Sequence, residues 1–323
     1  MDKTINKLLC AMPLNDHHKK LIAERLPNTE IAYAGYNTAV AEQIYGADAI
    51  FGNVNPAFFQ DCSSIKWVQL GSAGADEYLP AIRNGMLITN ATGGYGDTIS
   101  EHILAVLLML QKKLHVYHDN MRKGIWKKSG EVRGINGSTT LILGMGDIGG
   151  TFGKKMKLLG AYVIGVRRSD MKKPDYCDEL YNFEHIDELL PRADSVIMAL
   201  PNTPETVGIM NWDRLNRMRR DAVLINVGRG SAVVQDDLIR ALNEERIWGA
   251  GLDVASPEPL PESHPLWRAK NLIITPHTSG GWTLPKNVDD VLKIFFDNLD
   301  RWENGKELLN IVDPMTGYAK KNN

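Results

Sequence analysis

Residues 139–149 read Thr-Thr-Leu-Ile-Leu-Gly-Met-Gly-Asp-Ile-Gly, an apolar run that ends in a glycine turn. The aliphatic and β-branched residues predict a buried strand, and Gly150–Leu159 after the turn predicts a helix. Between them, Gly144-x-Gly146-x-x-Gly149 gives each glycine a task. Gly144 permits the tight turn, Gly146 lets backbone approach a pyrophosphate, and Gly149 lets helix and strand pack closely. A helix N-terminus adds open N–H groups and a partial positive charge. With a strand before and a helix after, the motif reads as a dinucleotide-binding turn in which the amides of Asp147 and Ile148 also serve the phosphates. Such a turn belongs to a doubly wound α/β sheet.

The surrounding pattern agrees with that class. Strands are expected at Leu141–Leu143, Tyr162–Val166, Ser195–Ala199, Ala222–Asn226, Gly249–Asp253 and Leu272–Ile274, with helical stretches between them. An earlier alternation places strands at Leu8–Met12, Ile31–Ala34, Ala49–Phe51, Trp67–Leu70 and Met86–Thr89, and a helix from Asp16 to Leu26. Thr98-Ile99-Ser100-Glu101 has the pattern of a capping box. The apolar residues after it predict one long helix to about Met121, a spine between domains that could also face a second subunit. Val288–Trp302 has helical period. A chain of 323 residues is natural for two domains. The expected architecture is two doubly wound parallel-sheet domains. A Rossmann cofactor domain, residues 100–281, is inserted in a flavodoxin-like substrate domain made of 1–99 and 282–323, with ligands at strand C-terminal ends in the cleft between them.

The totals narrow the function. A formal net charge of -2 gives no general attraction to nucleic acid or anionic membrane. No run approaches the roughly 18 apolar residues of a membrane span, and the N-terminal stretch lacks a signal-peptide core. Cys10, Cys62 and Cys177 are scattered, without metal-ligand or disulfide spacing, so no metal is expected and the compartment reads as a reducing cytoplasm.

The second strand of the cofactor domain ends in Arg167-Arg168-Ser169-Asp170. An NAD site usually offers an acid here to the ribose 2′-hydroxyl. Two guanidinium groups and a hydroxyl suit a 2′-phosphate instead, through bonds of about 1.5–3 kcal/mol each. NADPH is therefore expected to be preferred, with NAD possible if a loop shift brings the Asp170 carboxylate to the ribose.

Further motifs complete a set. They are Ala199–Thr206 (ALPNTPET), Leu224–Val233 (LINVGRGSAV), Gly249–Leu260 (GAGLDVASPEPL) and Ile274–Gly281 (ITPHTSGG). With the glycine turn they resemble the D-isomer-specific 2-hydroxyacid dehydrogenase family from about Glu101 to Gly281. The resemblance is weaker before that, where KWVQLGSAGAD is the main match. It implies reversible reduction of a 2-oxo acid to the D-2-hydroxy acid. Arg229 would anchor carboxylate and carbonyl, being planar and always charged. His277 would supply the proton, since imidazole titrates at about 6.5, and Glu258 would orient it. Asp253 would bond the nicotinamide carboxamide. Leu200, Pro201, Thr206, Val227 and Gly280 would line the cofactor.

On the substrate side, Gly71-Ser72-Ala73-Gly74 could form a nest of N–H groups for a carboxylate. Tyr95, in a loop with three glycines, is a candidate substrate contact, and Trp282 could cap the pocket. The resemblance implies a homodimer. Two rivals stay open: a nucleotide-sensing co-repressor-like binding protein, and a formate or phosphite dehydrogenase of the same fold.

Overall fold

The computed structural model describes residues 4–35, 38–61, 64–83, 85–168, 172–282, 284–315 and 317–319. It divides into two compact units, Met1–Tyr95 with Gly281–Asn323, and Gly96–Gly280.

The first unit carries strands β1 (Lys7–Ala11), β2 (Glu30–Ala34), β3 (Ala49–Gly52), β4 (Trp67–Gln69) and β5 (Ile88–Thr89). Helices α1 (Asp16–Arg25), α2 (Ala41–Tyr45) and α3 (Leu79–Arg83) alternate with them. The parallel sheet has the order β2-β1-β3-β4-β5. β1, β3 and β4 are almost wholly buried, which is why their sequences read as continuous apolar runs. The order reverses at β1 and β3, where ligands of open α/β sheets collect beyond the strand C-termini. Met12, Asn53 and Gly71 all follow strands at that end.

The second unit opens with α4 (Gly96–Gln111) and α5 (Leu114–Arg122). A seven-stranded parallel sheet follows: β6 (Thr139–Leu143), β7 (Tyr162–Val166), β8 (Glu179–Tyr181), β9 (Ser195–Met198), β10 (Val223–Asn226), β11 (Gly249–Leu252) and β12 (Leu272–Ile274). Its crossovers include α6 (Asp147–Leu158), α7 (Ile186–Leu189), α8 (Trp212–Arg217) and α9 (Gln235–Asn243). The order is β12-β11-β10-β9-β6-β7-β8, with the reversal between β6 and β9. Residues 281–323 return to the first unit as α10 (Pro285–Glu303). There Phe295 stacks on Phe51 at 4.2 Å and on Trp67 at 5.6 Å between centroids.

Three elements differ from expectation. α4 begins at Gly96, not at the Thr98–Glu101 pattern. Thr98, the residue that the pattern puts at the cap, lies inside the first turn instead, and Ser100 follows it within the helix, where its hydroxyl donates to the Asp97 carbonyl. A Cβ on Gly96 would lie 2.4 Å from Asp147 Oδ1, so the absent side chain lets the first turns of α4 and α6 meet. The long helix is also broken. Lys113 has φ 59°, and its ammonium sits 4.6 Å from the Trp248 ring centroid, so α5 leaves in a new direction. β8 is an unexpected strand, three residues long with no fully buried position, and it carries no apolar run to reveal it. No helix among the described residues is long and apolar enough to cross a membrane.

Candidate active site and dinucleotide turn

The glycine turn leaves β6 beside the strand-order reversal. Gly144 has φ 99°, and a Cβ there would lie 2.4 Å from the Ala199 carbonyl oxygen. A Cβ on Gly149 would lie 1.9 Å from the Gly144 carbonyl oxygen. Both contacts are with backbone, which cannot yield cheaply. Gly146 differs, because a Cβ there meets nothing within 4 Å. α6 has no side-chain cap, and the amides of Gly146, Ile148 and Gly149 donate to no acceptor among the described residues. Open amides at a helix start, reached past a residue with no side chain, fit a diphosphate.

Around this turn, β7 delivers Arg167 and Arg168. The Arg167 amide donates to the Tyr181 carbonyl at 3.0 Å, which fixes where the strand ends. Arg168 is exposed. Glu205 is held below the usual carboxylate range by the Thr203 hydroxyl, with a smaller contribution from Arg168. Ser169 and Asp170 lie outside the described residues. In the β9 loop, Thr206 is buried, and its hydroxyl accepts from the Thr203 amide at 2.9 Å and donates to the Pro201 carbonyl. It therefore shapes the loop that starts at buried Leu200.

Arg229 follows β10 in a turn set by Asn226, a residue the sequence reading did not single out. Asn226 Nδ2 donates to the Arg229 carbonyl at 2.8 Å, and Asn226 Oδ1 accepts from the Gly228 amide at 3.1 Å. The turn is wedged on both sides. A Cβ on Gly228 would lie 2.5 Å from the Leu200 carbonyl oxygen, and one on Gly230 would lie 2.0 Å from that of Ala255. Val227 is buried, while the Arg229 side chain is half-buried.

The Ala255 side of that wedge begins the loop that carries Glu258. One Glu258 oxygen accepts from the Ala255 amide at 2.9 Å, and the other lies 2.7 Å from His277 Nδ1. Gln235, also unflagged in the sequence, bonds both the amide and the carbonyl of Ser256. His277 follows β12 with φ 49°. Its amide donates to the Asp253 carbonyl at 2.8 Å. The Asp253 carboxylate accepts from the Thr275 hydroxyl at 2.6 Å and from the amides of Thr278 and Ser279 at 3.0 and 3.1 Å. Gly280 ends the unit. No group of three or more His, Cys, Asp or Glu suited to a metal occurs among the described residues.

In the first unit, the Gly71–Gly74 loop has every carbonyl engaged. The Gly71 oxygen accepts from the Tyr95 hydroxyl, Ser72 from the Ala91 amide at 2.9 Å, Ala73 from Asn90 Nδ2 at 2.8 Å and Gly74 from the Ser72 hydroxyl at 2.7 Å. The Gly71 amide is taken by Asn53 Oδ1 at 3.0 Å. The amides of Ser72, Ala73 and Gly74 donate to no acceptor among the described residues. Engaged carbonyls and open amides are the arrangement in which a loop can receive an anion. Tyr95 is buried and meets the Trp282 ring edge-on at 6.0 Å. Trp282 Cη2 lies 3.2 Å from where a Gly71 Cβ would be.

Residues 104–279, more than half the chain, match the NAD-binding domain of the D-isomer specific 2-hydroxyacid dehydrogenases. The chain belongs to this family. A hydroxypyruvate reductase of Blautia hydrogenotrophica is 31% identical over 288 residues, spanning 85% of this chain and 87% of that protein. A crystal structure of a D-isomer specific 2-hydroxyacid dehydrogenase family protein from Aeromonas salmonicida is 33% identical with TM-score 0.85, covering 96% of this chain and 100% of that one. The NADPH-dependent glyoxylate/hydroxypyruvate reductase of Sinorhizobium meliloti, solved with NADP and sulfate, is 25% identical with TM-score 0.82, covering 97% and 100%. As in other 2-hydroxyacid dehydrogenases, the cofactor unit is inserted in the substrate unit, and the chain is an NAD(P)-linked 2-hydroxyacid dehydrogenase or 2-oxoacid reductase.

Proposed function

We propose that this dehydrogenase reduces a small 2-oxo acid of the glyoxylate or hydroxypyruvate type to the D-2-hydroxy acid, with NADPH preferred over NADH. The carrying observation is the 2.7 Å pairing of His277 Nδ1 with Glu258 on a loop wedged against the Arg229 turn. With Nδ1 held by the carboxylate, Nε2 is the nitrogen that gives a proton to the substrate oxygen. Arg229 binds the carboxylate and polarises the carbonyl, because its planar guanidinium accommodates two oxygens. The bound dinucleotide supplies the hydride, and the amides at Gly146, Ile148 and Gly149 would hold its phosphates. Leu200, Pro201, Thr206, Val227, Asp253 and Gly280 are assigned to its remaining contacts. Arg167 and Arg168 would take the 2′-phosphate. The open amides of Ser72, Ala73 and Gly74 suit a carboxylate, and Tyr95 supports them through Gly71.

The names of the Blautia and Sinorhizobium relatives support this substrate class. A homodimer is part of the same reading. Met121, Ile125, Trp126 and Val132 are exposed apolar residues close in sequence, as a surface covered by a second copy would need.

Initial rates on a panel of 2-oxo acids with both reduced cofactors test the proposal. Turnover of glyoxylate or hydroxypyruvate with a higher kcat/KM for NADPH is expected. Cofactor binding without turnover, or activity on formate or phosphite alone, overturns it. His277→Ala should lower kcat by roughly 10²–10⁴-fold with cofactor affinity retained.

A further inference from the structure

His277 occupies a backbone region that a non-glycine residue keeps only when its surroundings impose it. The groups that impose it converge on Asp253. Its carbonyl takes the His277 amide, and its carboxylate takes the two amides that follow and the hydroxyl of Thr275, two residues before. The side chain of Asp253 is 1% exposed, and three donors meet its carboxylate. A buried carboxylate so engaged is a bracket on the histidine loop.

The bracket has a further member on a different element. Thr275 has one hydroxyl proton, and Asp253 Oδ1 at 2.6 Å takes it. His102 Nε2 lies 3.2 Å from the same hydroxyl oxygen, so the ring must be the donor in that bond. His102 Nε2 is also 3.9 Å from Asp253 Oδ1. The ring is carried by α4, which is seated firmly on β11. A Cβ on Gly251 would lie 2.4 Å from Val106 Cγ1, so the helix fills the groove that glycine leaves, two residues before Asp253. The imidazole is therefore presented to Thr275 from a rigid helix.

We propose that His102 is a positioning residue for His277, acting through Thr275 and Asp253 to hold the histidine loop in its left-handed backbone. The inference rests on His277 being the proton donor. Loss of the His102 bond lets the Thr275 hydroxyl rotate off Asp253, and the loop then visits conformations in which His277 Nε2 misses the substrate oxygen. Binding of the dinucleotide and the carboxylate is untouched.

The test uses the full-length protein as His102→Leu, His102→Gln, Thr275→Val and Thr275→Ser. The readouts are kcat and KM for the best 2-oxo acid, NADPH affinity by fluorescence, and amide hydrogen exchange at residues 277–279. His102→Leu should lower kcat by about two- to tenfold, leave KM and cofactor affinity within about twofold, and speed exchange at 277–279. His102→Gln keeps an N–H donor and should recover most of the loss. Thr275→Val should fall further than His102→Leu, and Thr275→Ser should stay near the parent. Unchanged kcat and exchange in His102→Leu overturn the proposal. So does a loss of cofactor affinity with exchange unaltered, which would place His102 itself at the nicotinamide. If the parent protein turns over no 2-oxo acid, the catalytic reading fails, while the exchange data still decide whether His102 holds the loop.

Discussion

Two glycine loops, one in each unit, reach similar chemistry by opposite routes. At Gly144–Gly149, open amides are produced by the main chain itself, since two of the three glycines lie against backbone oxygens and the third faces open space. At Gly71–Gly74, the amides stay open because side chains from other strands and loops occupy the carbonyls: Tyr95, Asn90 and the loop's own Ser72. The first design is local and rigid. The second is assembled from a distance and can be changed piecemeal.

Gly149→Ala should break the comparison most severely. Its Cβ would strike the Gly144 oxygen, so α6 must move. We expect a stability loss of about 2–4 kcal/mol, read as a fall in the thermal midpoint, with dinucleotide binding abolished. Gly146→Ala sharpens the point. It should melt like the parent yet bind dinucleotide at least about tenfold more weakly, since its Cβ enters only open space. Joint replacement of Arg167 and Arg168 by Ala comes next. NADPH affinity should fall about 10- to 150-fold with NADH little changed, as measured by kcat/KM for each cofactor. In the other loop, Tyr95→Phe removes one carbonyl partner. The KM for the 2-oxo acid should rise about three- to tenfold with kcat and cofactor KM nearly unaltered.

The smallest effect concerns the two edge strands. On β8, Glu179 is held at about 2, first by the Arg192 guanidinium and then by the Tyr181 and Tyr162 hydroxyls. A carboxylate depressed in the folded state stabilises above its ordinary value near 4.5, and the contribution is lost as pH falls toward about 2. Glu179→Gln should therefore flatten the acid decline of stability between those limits, as followed by chemical denaturation. On β2, Glu30 pairs with Lys7 with 68% and 52% of their side chains exposed. Glu30→Gln should change stability by no more than about 0.5 kcal/mol, as an exposed pair contributes little.

The same contrast explains what the sequence made legible. The 144–149 turn and the buried parallel strands lie in contiguous windows whose residue types are dictated by local chemistry, whereas the pairing of His277 with Glu258, 19 residues apart, was legible only through the family resemblance. The brackets were hidden, because Asn53, Asn90, Asn226 and Gln235 act across tens of residues on loops they do not belong to, or within a turn whose glycines drew attention first. The helix break at Lys113 was hidden for another reason. Lysine carries no propensity for the left-handed region, so the residue type gives no sign of the break. β8 escaped because Glu179-Leu180-Tyr181 is too short and too polar at the sheet edge to show a period.

The missing side chains at Gly228 and Gly230 leave the Arg229 turn no slack, jammed as it is between the carbonyl oxygens of Leu200 and Ala255. Under the proposed function, the guanidinium would pivot from a fixed mount, and adaptation to longer or bulkier acids would be absorbed elsewhere. Directed evolution toward such substrates should accumulate exchanges at Ser72, Tyr95 and Trp282 while residues 226–230 stay invariant.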